Sequence, residues 1–208
     1  MKKFFVFAVV ALLLGLSGAA LAADEPLVIN QEKHEIIMQA EVNGKYFDSP
    51  TRHGVVYLTG SNGEKSVLRG LTSEKTFHDA LLKIGATPGN NVTLDDMKAG
   101  PTGGATPAGS KLNVFVTWAG AEREYPFTDI IKASEERPDD YHFGGNLPAA
   151  NKANTGCVLC LDSCAVGITS NASYPTGTTQ NNVVEFYGDS KVLPPDGTRV
   201  SVIFRLAE

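Results

Sequence analysis

The chain has 208 residues, a formal net charge of −5 at pH 7 and a pI near 5.4, with its lysines and arginines scattered. A mildly acidic chain without a basic patch argues against nucleic acid or an anionic membrane surface as partner. Its three cysteines are an odd number, so in an oxidising compartment one thiol stays unpaired, pairs with another chain, or joins the others as a ligand.

The chain opens with Lys2 and Lys3, an apolar run over 4–16, and small residues ending in Ala20, Leu21 and Ala22. That order predicts a secretory signal peptide over 1–22, too short in its apolar part for a comfortable bilayer span. The expected mature protein, 23–208, is exported to the periplasm or beyond, is not inserted in the membrane after cleavage, and forms a single domain.

Within it, 27–29 and 35–42 read as strands, and Asn43-Gly44 reads as a hairpin turn leading into a further strand at 45–47. Segments 54–59 and 66–68 read as a second hairpin around Ser61-Asn62-Gly63. Phe77, Ala80, Leu81 and Ile84 fall at helical spacing, with Thr72 or Ser73 as cap and Gly85 and Pro88 as stop, which predicts the main helix over about 73–85. The Gly- and Pro-rich stretch 95–110 reads as an exposed flexible loop. Strands resume at 111–118, return at 123–127, and end with 199–206, which can pair far back in the chain. The expected fold class is α+β and mostly β: antiparallel sheets with one main helix laid on them.

Four segments together resemble the YdjY-domain family: Phe77-His78-Asp79-Ala80-Leu81-Leu82-Lys83-Ile84-Gly85-Ala86-Thr87-Pro88-Gly89, then Val114-Phe115-Val116-Thr117-Trp118, then His142-Phe143-Gly144-Gly145, then Pro194-Pro195-Asp196-Gly197-Thr198. The resemblance runs from about Leu27 to the end. It implies no agreed substrate or catalytic residue; some members carry a ferredoxin-like label, and others lack a cysteine cluster, which would make the cluster an added function.

Cys157, Cys160 and Cys164 stand at C-x2-C-x3-C spacing in a glycine-flanked segment. Thiolates two residues apart can converge on a soft metal, and a third nearby completes most of a tetrahedral or cubane site. The spacing departs from the bacterial ferredoxin pattern and lacks its fourth cysteine. His142 and Asp162 are the candidate fourth ligands, with Cys3His suited to zinc. The competing readings are one disulfide with a spare thiol, inert buried packing, or a thiol redox pair. His34, His53 and His78 are scattered and lie far in sequence from other ligand types, His78 reads as a helix-surface or core-edge residue, and 135–140 as a solvated acidic turn. No acid, base and nucleophile set converges, so an enzyme with its own catalytic site ranks last. The leading expectation is an exported redox or metal-binding accessory protein, carrying an iron-sulfur cluster or zinc on these cysteines for a redox partner protein; the alternative is a cofactor-free extracytoplasmic binding module with a structural disulfide.

Overall fold

The computed structural model describes residues 25–100 and 104–208. The expected signal peptide at 1–22 lies outside the described residues. Strand β2 (Glu35–Val42) shows how the core is made. Ile36, Met38, Ala40 and Val42 alternate along it and are fully buried, as the period-2 geometry of a strand requires. Val200, Val202 and Phe204 of β12 (Arg199–Leu206) and Leu112, Val114 and Val116 of β5 (Lys111–Trp118) repeat the pattern on the neighbouring strands. These inward faces make one main core.

The sheet continues from β5 to β8 (Tyr141–Phe143), β10 (Thr169–Asn171), β9 (Cys157–Cys160), β3 (His53–Tyr57) and β4 (Ser66–Gly70). Strand β4 then pairs with β2, which closes an eight-stranded barrel. Strands β1 (Leu27–Asn30) and β6 (Tyr125–Pro126) pair onto the ring from outside it, and β7 (Ile131–Ala133) and β11 (Phe186–Gly188) form a separate two-stranded sheet.

This overturns the expectation of antiparallel sheets with one main helix, although the chain is mostly β as expected. A strand with one buried face has the same alternation in an open sheet and in a barrel, so periodicity does not reveal closure. Two pairings are also parallel, β3 with β4 and β9 with β10. Segment 58–65 is therefore a return crossover, where a second hairpin was expected. Asn43-Gly44 is likewise not a hairpin turn: Asn43 has φ −109°, and Gly44–Phe47 is a 3-10 helix. A tight type I′ turn would need positive φ. Here Asn43 accepts from Arg69 at 3.0 Å and Gly44 N–H donates to Asp196 at 2.9 Å, so the pair ties neighbouring segments together.

The expected helix is α1 (Glu74–Lys83), capped by the Ser73 hydroxyl, which accepts from Thr76 N–H at 3.1 Å, and followed by Gly85 at φ +91°. Phe77, Ala80, Leu81 and Ile84 are buried as the spacing requires. The rings of Phe77 and inward-facing Phe204 lie 4.5 Å apart, tilted by 56°, so the helix packs on the barrel interior. Two short helices accompany it, α2 (Leu94–Ala99) and α3 (Leu147–Ala153). The stretch expected to be a loop over 95–110 therefore begins in a helix. Thr93 and Asp96 form a reciprocal capping box that starts α2 against the Gly-rich composition behind it.

Candidate metal site on the outer barrel wall

On a regular strand, residues three apart point to opposite faces, so Cys157 and Cys160 of β9 should diverge. The pairing with β3 prevents this. His53 pairs with Cys160, Val55 with Leu159 and Val56 with Cys157, which leaves Gly54 and Val158 as extra residues on their strands. These are compensating bulges, the device that re-aims side chains in a sheet. Gly54 suits this position, because a Cβ on it would lie 2.5 Å from Leu159 Cδ2 and 3.0 Å from the Phe127 ring, so the buried core would have to shift. Val158 and Leu159 both join the main core, and the two thiols turn together to the other side. Val55 belongs to the main core while adjacent Val56 packs with the cysteines, which places the cluster on the outer face of the barrel wall.

Cys164 arrives by a different route. Segment 161–168 joins β9 to its parallel partner β10, so it must run back over the outer face, and it carries Cys164 across Cys160. Asn146 fixes this return by donating to the Cys164 carbonyl at 3.1 Å. Met97 of α2 and Val166 pack over the cluster. All three cysteines are buried, and no two of their sulfurs are bonded to each other.

His53 supplies a nitrogen. Its Nδ1 lies 3.6 Å from Cys157 Sγ, and Asn62 Nδ2, on the other crossover segment, lies 3.8 Å from the same sulfur. One ligand atom from each of His53, Cys157 and Cys160 falls within 4.8 Å of the others, close enough to share a metal ion. Half-buried His53 is the most exposed member of this group.

The three thiols influence one another's ionisation. Cys160 lies between its neighbours and hydrogen-bonds to both, and these bonds together with burial push its thiol well above the ordinary range. The hydrogen bond from Cys160 holds Cys157 well below that range against the opposing effect of burial, with His53 assisting. Cys164 is also lowered, again first by Cys160, with the Arg52 guanidinium contributing. One S–H cannot point both ways at once; Cys157 is the better thiolate because His53 also hydrogen-bonds to it.

Asp162 is not available as a ligand. Its side chain is fully buried; one carboxylate oxygen accepts from Arg52 Nε at 3.0 Å and from the terminal guanidinium nitrogen at 2.7 Å, and the other accepts from Thr179 at 3.1 Å. Burial pushes Asp162 upward, but three donors from two side chains favour the ionised form, and the facing carboxylate raises Arg52 against its own burial. The pair anchors the start of the Cys160 to Cys164 segment, where Leu161 N–H also donates to the Arg52 carbonyl at 2.9 Å.

His142 stands apart from the cluster. It lies on β8, separated from β9 by β10, and its ring contacts the Gly109 carbonyl at 2.8 Å and Asp140 at 3.0 Å. The structure groups Cys157 and Cys160 with His53, which sequence reading passed over, sets Cys164 beside Cys160, and leaves His142 out. The signal for His53 lay only in the pairing of β3 with β9, which no local pattern announces.

Residues 27–205 match the YdjY domain. A protein of Escherichia coli (strain K12) named "Uncharacterized protein YdjY" is 41% identical over 189 residues, covering 90% of this chain and 82% of the relative. No solved structure matches. With nearly the whole described chain matched by the domain and by this relative, the protein belongs to the YdjY-domain family.

Proposed function

We propose that the protein is an exported metal-binding protein that holds one soft ion, such as zinc, on Cys157, Cys160, Cys164 and His53. The observation that carries this reading is the spacing of the donors. Zn–S bonds of about 2.3 Å and Zn–N bonds of about 2.0–2.1 Å at tetrahedral angles put neighbouring ligand atoms roughly 3.5–3.8 Å apart. The separation of 3.6 Å between Cys157 Sγ and His53 Nδ1 falls in that range. In a cubane each thiolate sits on a different iron, which spreads the sulfurs farther apart than ligands of a single ion. The donor spacing therefore favours a mononuclear centre over the iron-sulfur cluster.

His53, Cys157 and Cys160 form the gathered set; with Cys164, which lies beside Cys160, moving in as the fourth donor, no position is left for water, which fits a structural or metal-holding role better than hydrolytic catalysis. Export follows from the leader pattern at 1–22, and coordination gives buried thiols a stable state in an oxidising compartment. Zinc bound in this way supplies charge and a cross-link between strands, and no electron transfer.

Zinc titration against a chromophoric chelator tests the assignment of the nitrogen. One equivalent should bind per chain, His53→Ala should weaken binding by about 10- to 100-fold or more, the cost typical of losing even an outer partner, and His142→Ala should leave it unchanged. Equal behaviour of the two variants would remove His53 from the site.

A further inference from the structure

Ser170 is fully buried, and its Oγ is, among the described residues, the one buried side-chain polar atom without a hydrogen-bond partner. A buried hydroxyl left unpaired is unfavourable, so a partner for it is to be sought among the groups on its own face of the wall. Its position says what that partner is. Ser170 pairs in register with Cys160 across the parallel β9–β10 ladder, which puts both side chains on the same face of the wall. A Cβ added to Gly167 would fall 2.8 Å from Cys160 Sγ and 3.1 Å from Ser170 Oγ, so the glycine leaves open the space between the two groups. On the other flank Ser170 pairs with His142, whose ring is engaged by Gly109 and Asp140.

We infer that Ser170 is a positioning residue of the metal-loaded site, donating its hydroxyl proton to the sulfur of Cys160. Once that sulfur is a thiolate bound to the ion, it has no proton of its own to offer and becomes an acceptor for an outer hydrogen bond. Partners of this kind orient first ligands and tune the centre. Gly167 has a matching role, because any side chain there would separate donor from acceptor. This inference rests on the metal-binding reading given above.

The test uses Co(II) as probe, in the full mature chain, with wild type and Ser170→Ala compared. Loaded wild type should show a thiolate-to-cobalt charge-transfer band. In Ser170→Ala the band should move to longer wavelength, because a thiolate without its donor is easier to oxidise, and affinity should fall by about 10-fold, at the low end for outer partners. The metal-free variant should unfold at the same temperature as wild type or higher, since only an unpaired hydroxyl is lost. An unchanged spectrum and affinity in a variant that still binds would overturn the role of Ser170 alone. A metal-free variant less stable than wild type would also overturn it, by showing a structural partner. Failure of wild type itself to bind Co(II) would overturn the metal site together with this inference.

Discussion

Replacement of Cys160 by serine is expected to lower zinc affinity by at least about 100-fold, a loss of roughly 2.8 kcal/mol of binding free energy, while the metal-free barrel stays folded. Cys160 is the middle cysteine of the cluster: it neighbours both other thiols and pairs with His53 across the β3–β9 ladder. A serine hydroxyl is a poor ligand for a soft ion near neutral pH, because it does not ionise there. The barrel tolerates the change because its inward face is a separate cluster that contains none of the three cysteines. On the proposed site, zinc should bind the folded chain more tightly than the unfolded one, so saturating zinc should raise the unfolding temperature of wild type and leave that of Cys160→Ser nearly unmoved. Calorimetry with and without zinc checks this. An equal rise in both proteins would mean that the ion binds elsewhere.

The Arg52–Asp162 pair should show the largest effect on folding itself. Arg52→Leu leaves a fully buried carboxylate with only the Thr179 hydroxyl to answer it, and removing one partner of a buried pair costs about 3–5 kcal/mol. A loss of that size is a large part of the net stability of a single domain. The variant is expected to unfold at markedly lower denaturant concentration with an unchanged m-value. The double variant Arg52→Leu/Asp162→Leu should recover much of the loss, since an apolar pair of similar volume is often neutral or better. A small effect in the single variant would mean that Asp162 reaches solvent or takes up a proton.

Some of this architecture was legible in the sequence and some was not, for reasons that differ by element. Helix α1 could be read because Phe77, Ala80, Leu81 and Ile84 run long enough to fix a period and Ser73 and Gly85 mark the ends. The strand Arg199–Leu206 could be read from its alternation, including its pairing far back, with β2. Barrel closure could not, because it depends on the pairing of β4 with β2 and on two parallel ladders. Helix α2 was hidden by its length and by the glycines behind it, although Thr93 and Asp96 carried the spacing of a capping box. In the site, the three cysteines announced themselves by spacing. His53 did not, because closeness in sequence favoured His142, whereas closeness in space follows strand order and sets His53 beside the cysteines. Even the Cys157–Cys160 spacing was informative only by way of the bulges at Gly54 and Val158, which reverse what a regular strand would do.

The most direct test is the metal and acid-labile sulfide content of the mature protein, prepared without oxygen and reconstituted separately with zinc and with iron plus sulfide. One zinc per chain, retained through gel filtration, with no stable uptake of sulfide, is the result expected from donors spaced for a single ion. Several irons with matching sulfide would contradict the mononuclear centre, and a metal-free protein with a disulfide among Cys157, Cys160 and Cys164 would contradict metal binding altogether.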